Sequence, residues 1–168
     1  TVENTTQLVQ KQVKTPVSII ATPIFFTTDY TELVEPVGIL KTIKEVGAFK
    51  KGTAGSETIS ELLPFQEDIL EIPGKRGFNA FINTNLDEVL KEKGITNLVI
   101  AGAVTSLCID STGRSAHEKG YRVSVLSDCT SARTTFELSF YLEDVFPLYA
   151  ETLTAHELLD ALNITALC

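Results

Sequence analysis

One stretch of the chain says most about its architecture: Asn97-Leu98-Val99-Ile100-Ala101-Gly102-Ala103-Val104-Thr105-Ser106-Leu107-Cys108. Its first six residues are almost continuously apolar, which is typical of a strand buried on both faces of a sheet. The small residues after Gly102 predict a loop, and a helix is expected to begin near Cys108 and to end before Gly120. A strand that leads through a short loop into a helix is the repeating unit of a parallel α/β sheet.

The rest of the chain repeats this alternation. Short apolar segments predict further strands at residues 17–21, 67–72, 121–126 and 148–151. Segments with helical spacing or helix-ending residues predict helices at residues 4–14, 38–46, 85–93, 134–142 and 155–162. We therefore expect a single domain over residues 1–168, built as a three-layer α-β-α sandwich around a mostly parallel, doubly wound sheet. Ligands bind such sheets at the carboxyl ends of the strands, which here means after Gly102 and Asp128.

The composition argues against several classes of protein. The 168 residues carry a formal net charge of -8, which disfavours a nucleic-acid-binding surface. No apolar run reaches the roughly 18 residues that cross a bilayer, so no membrane association is expected. The three cysteines, Cys108, Cys129 and Cys168, are odd in number and widely spaced. That spacing predicts neither a disulfide framework nor a zinc site, and it favours the reducing cytoplasm.

Cys108 stands where a strand is predicted to give way to a helix. A thiol at a helix N-terminus lies near the positive end of the helix dipole and near unpaired N–H groups, and both favour the thiolate. The same N–H groups can stabilise the oxyanion that develops when a nucleophile attacks a carbonyl. Position alone leaves a second interpretation open, in which Cys108 is a small buried side chain that only packs.

Three segments around this cysteine form a longer pattern. Residues 94–123 run from a strand through Gly, small residues, Thr, two residues and Cys into a helix that is followed by Gly-Tyr. Residues 127–131 are Ser-Asp-Cys-Thr-Ser, and residues 74–86 contain Lys75, then Ala80-Phe81, then a Thr-x-Leu that opens a helix. Together these segments resemble the isochorismatase-like cysteine hydrolases.

The resemblance implies a covalent mechanism in which a Cys, a Lys and an Asp act together. Carried over to this sequence, Cys108 is the nucleophile that attacks a carbonyl or imine carbon, and Lys75 is the cation that stabilises its thiolate. The resemblance also implies a cis peptide bond at Ala103–Val104. The loop residues Ala103, Val104 and Leu107 are then expected to present the backbone donors of the oxyanion site. Without the resemblance, Lys75 would be interpreted as a solvated loop lysine.

Three further residues are candidates for the substrate pocket: Thr105, Phe81 and Asp128. Asp128 is a candidate because it ends a predicted strand, although the resemblance implies a structural role for it. We expect a small substrate with an amide, carbonyl or enol-ether group, no cofactor, no nucleic-acid or membrane partner, and a homo-oligomer. The family's nicotinamidase branch adds a metal site with an Asp and two His after the second strand. This sequence has only His117 and His156, both in predicted late helices, and no Asp-x-His, so no metal is expected.

The sequence departs from the family pattern at its N-terminal end. The family's Asp ends an apolar first strand, whereas residues 1–15 here match the helix that follows that strand. The chain also contains no Met. We therefore expect that the central first strand and its Asp are missing from this sequence, because the neighbours of a deleted central strand would be left buried and unpaired. A truncated product without activity is the alternative.

Two other functions fit parts of the sequence. Cys108 and Arg114 have the Cys-x5-Arg spacing of cysteine phosphatases, in which backbone N–H groups and the Arg hold a phosphate, although Asp110 would repel that anion. The second alternative is a catalytically impaired homologue that binds or assembles. Residues 136–149 are rich in Phe, Tyr and Leu, which predicts either core or an interface. A hydrolase acting through Cys108 remains the preferred hypothesis.

Overall fold

A computed structural model describes residues 1–13 and 15–165 of the chain. Helices and strands alternate along it, as the sequence pattern predicts. The strands are β1 (Ile19–Ala21), β2 (Ile69–Glu71), β3 (Asn97–Ala103), β4 (Arg122–Ser131) and β5 (Glu151–Leu153). The α-helices are α1 (Val2–Gln12), α2 (Gly38–Val46), α3 (Leu86–Glu92), α4 (Asp110–Glu118), α5 (Thr135–Phe140) and α6 (Ala155–Thr165).

All strand pairs in the named sheets are parallel. β1 pairs with β2, and β3, β4 and β5 form a second sheet in that order. Helices cover β4 from both sides: Leu126 packs with residues of α1 and α6, while Val123 on the opposite face packs with residues of α3 and α4. This arrangement confirms the predicted three-layer α/β fold. None of the described helices is long and apolar enough to cross a membrane.

The structure corrects the length of β4. The sequence pattern predicts a strand that ends at residue 126, but β4 continues to Ser131. The continuation passes through an irregularity: Ile100 pairs with Val125, and Gly102 then pairs with Thr130. Residues 126–129 thus stand opposite Ala101, and Asp128 lies inside the strand rather than at its end.

Two further predicted boundaries shift for local reasons. The helix expected from Cys108 begins instead as a single wide turn over Thr105–Ile109, and α4 follows directly. The strand expected at residues 148–151 starts only at Glu151, because the preceding Phe146–Leu148 forms a 3-10 turn with a proline in its first positions. The end of the predicted first helix includes residue 14, which lies outside the described residues.

A wide slot separates the two sheets. It lies between β1 and β3, and no strand among the described residues pairs with the edge of either strand that faces it. The cavity measures about 1480 Å³, and it is lined by residues of α1, α6, β1 and β3 together with Lys75 and Cys108. Val99 in β3 is 43% exposed, although it belongs to the most apolar strand of the chain. An apolar strand with an open edge is a template for pairing with a further strand.

The long connection between β1 and β2 folds around its own small core. Phe26, Tyr30, Leu33 and Ile43 are buried against one another there. The predicted helix at residues 38–46 is confirmed as α2, which ends where Gly47 adopts a left-handed conformation with φ of 70°. This connection leads to β2 and so to the loop that carries Lys75.

Candidate active site

The loop that carries Cys108 begins directly at the carboxyl end of β3. The peptide bond between Ala103 and Val104 is cis, at the position that the resemblance implies. The chain then enters the turn Thr105–Ile109, in which the Val104 carbonyl accepts hydrogen bonds from Leu107 N (3.0 Å) and Ile109 N (3.3 Å). Cys108 sits within this turn with its side chain partly exposed. The turn therefore presents the thiol at the carboxyl end of β3, and ligands bind α/β folds at the carboxyl ends of the strands.

Lys75 reaches the thiol from the loop after β2. Its Nζ donates a hydrogen bond to Cys108 Sγ at 3.3 Å. Only 4% of the Lys75 surface is exposed, so bulk water screens this contact weakly. A buried ammonium group at this distance stabilises a thiolate relative to a neutral thiol. The two residues are 33 positions apart in the sequence, and the fold brings them together.

Gly74 lets the Lys75 loop pass close to a neighbouring segment. Its φ is +109°, a conformation that favours glycine, and a Cβ atom at this position would lie 2.2 Å from the Asn83 carbonyl oxygen. The same loop is fixed to α4 further on, where Thr112 Oγ1 accepts a hydrogen bond from Ala80 N at 3.0 Å. The helix that starts just after Cys108 thus holds the loop that supplies Lys75.

A second contact ties the Cys108 turn to α5. Ser106 donates a hydrogen bond to the Glu137 carboxylate, which also accepts one from Arg133 Nε at 3.0 Å. The hydrogen bond from Ser106 and then the Arg133 guanidinium lower the pKa of Glu137, so its carboxylate stays ionised at neutral pH. Nothing in the sequence pattern indicates this link, because Glu137 belongs to a helix 31 residues further along the chain.

The three predicted pocket residues do not line the slot. Thr105 is wholly buried at the start of the turn, and Phe81 is buried with its ring stacked on Tyr121 at 6.1 Å between centroids. Asp128 was predicted to face the site because it was placed at a strand end. Its carboxylate instead accepts hydrogen bonds from Ala155 N at 2.9 Å and Asn4 Nδ2 at 3.2 Å, and so joins α6 and α1 to β4.

Leu107 also has a different role from the predicted one. Its N–H donates a hydrogen bond to the Val104 carbonyl within the turn. The other two predicted oxyanion residues, Ala103 and Val104, precede the turn.

The local structure does not fit the phosphatase hypothesis. A phosphate-binding loop needs backbone N–H groups that converge on an anion, but the residues between Cys108 and Arg114 are helical from Asp110 onward. Arg114 Nε donates to both carboxylate oxygens of Asp110, at 2.9 and 3.0 Å, and its guanidinium lies over the Tyr149 ring. Arg114 is therefore paired within the protein instead of facing the thiol.

The two histidines lie on the surface in α4 and α6. His117 is exposed with its ring 6.2 Å from that of Tyr149, and His156 Nε2 lies 3.6 Å from Asp160 Oδ2. Among the described residues, no cluster of three or more His, Cys, Asp or Glu side chains is arranged to hold a metal ion.

Comparison with known sequences identifies the family. A family model described as the Isochorismatase domain matches residues 1–157. The chain belongs to the isochorismatase family. An isochorismatase family protein from Desulfovibrio vulgaris shares the fold, with a TM-score of 0.84 over 96% of this chain and 84% of that one, at 22% sequence identity.

Two relatives of this chain carry names that state an activity. A probable inactive nicotinamidase from Arabidopsis thaliana is 37% identical over 115 residues, which is 68% of this chain and 58% of that protein. A ureidoacrylate amidohydrolase from Agrobacterium fabrum is 41% identical over 80 residues, which is 48% of this chain and 34% of that protein. The chain therefore spans little more than half of the first relative and about a third of the second.

Proposed function

We propose that this isochorismatase-family chain hydrolyses the C–N bond of a small amide through a covalent thioester on Cys108. The observation that carries the proposal is the 3.3 Å contact between Lys75 Nζ and Cys108 Sγ, made by a lysine that is almost wholly buried. The amidohydrolase named among the relatives supports an amide as the substrate class. A thiolate is the reactive form of a cysteine nucleophile, and a buried ammonium beside it favours that form.

The reaction follows from this pair of side chains. The Cys108 sulfur forms a bond to the amide carbon, and the carbonyl electron pair moves to the oxygen. The Ala103–Val104 loop supplies the backbone N–H groups that stabilise this oxyanion in the proposed mechanism. The tetrahedral intermediate collapses by breaking the C–N bond, and the nitrogen leaves with a proton as ammonia or an amine. Water then attacks the thioester, which releases a carboxylic acid and regenerates the thiolate. Lys75 stays positively charged throughout, and it compensates the negative charge of the Cys108 thiolate before the attack and after the thioester is hydrolysed.

A proton carrier completes this cycle, because both the leaving nitrogen and the attacking water exchange protons. The family resemblance in the sequence implies that an Asp at the end of an apolar strand has this role. We propose that such a strand occupies the slot between β1 and β3. The open edges of these two strands, the apolar character of β3 and the presence of Lys75 and Cys108 in the slot lining support this position.

Ammonia release from a panel of amides tests the proposal. The panel contains nicotinamide, ureidoacrylate and other carbamoyl or carboxamide compounds, and each is measured with the wild-type chain and with Cys108→Ser. A synthetic apolar peptide as long as β3 and ending in Asp is then added, with an otherwise identical peptide ending in Asn as the matched control. We expect hydrolysis that depends on Cys108 and increases with the Asp peptide. Equal hydrolysis with the two peptides would contradict the strand proposal, and hydrolysis that survives Cys108→Ser would contradict the proposed nucleophile.

The second candidate is a homologue that binds a small amide without turning it over. It is favoured by the open slot between β1 and β3 and by the relative that is named a probable inactive nicotinamidase. Rapid alkylation of Cys108 without hydrolysis of any amide, with or without the Asp peptide, would favour this candidate over the hydrolase.

We also propose that the chain forms a homo-oligomer in the cytoplasm through α5. Phe136 and Phe140 are 78% and 46% exposed, and their rings stack at 6.3 Å between centroids. The aromatic segment at residues 136–149 therefore contributes to both the surface and the core, since Phe146 is wholly buried. Light scattering of the wild-type chain and of Phe136→Lys tests this surface. We expect the substitution to lower the molar mass, and a wild-type monomer would contradict the proposal. The free thiols of Cys108 and Cys129 agree with a reducing compartment.

A further inference from the structure

Thr105 and Thr130 form a buried pair that connects the Cys108 turn to β4. Thr105 is wholly buried and Thr130 is 2% exposed, and their hydroxyl oxygens lie 2.9 Å apart. Neither residue lines the slot, so this pair does not contact a molecule bound there. Thr105 is the first residue of the turn that contains Cys108, whereas Thr130 lies on the neighbouring strand β4.

The direction of the hydrogen bonds in this pair follows from the number of protons. Thr130 Oγ1 also lies 3.0 Å from the Gly102 carbonyl oxygen, which can only accept a hydrogen bond. The single hydroxyl proton of Thr130 is therefore donated to Gly102, and the Thr105 hydroxyl donates to Thr130. The result is a directed relay from Thr105 through Thr130 to Gly102. It connects both ends of the short loop that precedes Cys108.

The irregular register of β4 brings Thr130 to this position. Because residues 126–129 stand opposite Ala101, the strand resumes its pairing with Thr130 directly beside Gly102. Irregularities of this kind redirect side chains next to functional sites in many sheets. If the register of Ile100 and Val125 continued without interruption, Ser127 and not Thr130 would stand opposite Gly102.

We propose that Thr105 and Thr130 are positioning residues that hold the Cys108 turn at the correct distance from Lys75. This inference rests on the proposed role of Cys108 as nucleophile. Loss of the relay leaves the start of the turn without its side-chain anchor to β4, and the Lys75–Cys108 contact then lengthens. Such a residue acts only through the Lys75–Cys108 pair, which distinguishes it from one that simply stabilises the fold.

Alkylation of Cys108 by iodoacetamide at neutral pH, followed by peptide mass spectrometry, tests this inference. Thr130→Val removes both hydrogen bonds of the relay, and we expect it to slow alkylation by about fivefold. Thr130→Ser keeps the hydroxyl and should retain the wild-type rate. In a Lys75→Met background, Thr130→Val should produce no further slowing, because the contact that it positions is already absent. Thermal unfolding of every variant is measured in parallel.

Two results would overturn the inference. One is an unchanged rate for Thr130→Val, and the other is equal slowing by Thr130→Val with and without Lys75, which would indicate a general effect on the fold. Thr105→Val removes the donor end of the relay and gives the same test with a second variant if Thr130→Val does not fold. Since alkylation requires no amide substrate, failure of the relay and failure of the proposed hydrolysis are observed in separate experiments.

Discussion

Replacement of Lys75 by Met gives the sharpest perturbation of the candidate site. Met fills a similar volume in this buried position but removes the ammonium group that lies 3.3 Å from Cys108 Sγ. A hydrogen bond to a charged group contributes about 1.5–3 kcal/mol when it is buried. Each 1.4 kcal/mol corresponds to a factor of ten, so loss of this contact should slow the reaction of Cys108 with an alkylating reagent by about 10- to 100-fold.

The assay for this prediction is the alkylation rate of Cys108 by iodoacetamide, measured from the mass spectrum of its peptide. The matched control is Lys93→Met, because Lys93 also contributes to the slot lining but is exposed and lies at the end of α3. We expect the control to retain the wild-type rate and Lys75→Met to alkylate 10- to 100-fold more slowly. Equal rates for the wild-type chain and Lys75→Met would refute the claim that Lys75 activates the thiol.

Other parts of the structure lead to three further predictions. Gly74→Ala should lower the free energy of unfolding in urea by about 2–4 kcal/mol, because its Cβ would meet the Asn83 carbonyl oxygen, whereas Gly55→Ala has open space and should change it by less than about 0.5 kcal/mol. Asp87 has a pKa lowered to about 2, first by its hydrogen bond from a lysine and then by one from a tyrosine. The ionised Asp87 should therefore contribute fully to the free energy of unfolding above about pH 4, and this contribution should disappear as the pH falls towards 2. The measurement compares the wild-type chain with Asp87→Asn, and a difference in the free energy of unfolding that grew below pH 4 would contradict this assignment. Cys129 is wholly buried, and burial raises the pKa of its thiol. It should therefore react with iodoacetamide only in denaturant, and labelling of Cys129 in the folded chain would contradict this expectation.

The sequence was sufficient to predict the fold class because its strongest signals are local. The apolar run in residues 97–102 and the helix-ending glycines determine where strands and helices form, and α2 was predicted at its observed bounds. The error in β4 arose at Ser127 and Asp128, whose polar side chains are typical of a loop. Their place in a strand depends on pairing with β3 and on the hydrogen bonds that Asp128 makes to α1 and α6.

The candidate site was predictable only where a sequence motif records it. Lys75 and Cys108 were named because both lie in segments of the family pattern, and the structure places them in contact. Glu137 and Thr130 were missed as anchors of the turn, because each reaches it from another element through tertiary packing. Thr105 is a predicted pocket residue, but it does not line the slot. Its side chain points to β4 because a hydroxyl partner is available there.

The central claim is that Cys108 is an activated thiol that accepts an acyl group. Its most direct test is acylation by 4-nitrophenyl acetate, whose leaving group departs without a proton, so that this step does not depend on an added base. We expect a burst of nitrophenolate and a single acyl group on the Cys108 peptide, lost in Cys108→Ser and slowed in Lys75→Met. The absence of a burst, or acyl groups mainly on other residues of the folded chain, would contradict the account.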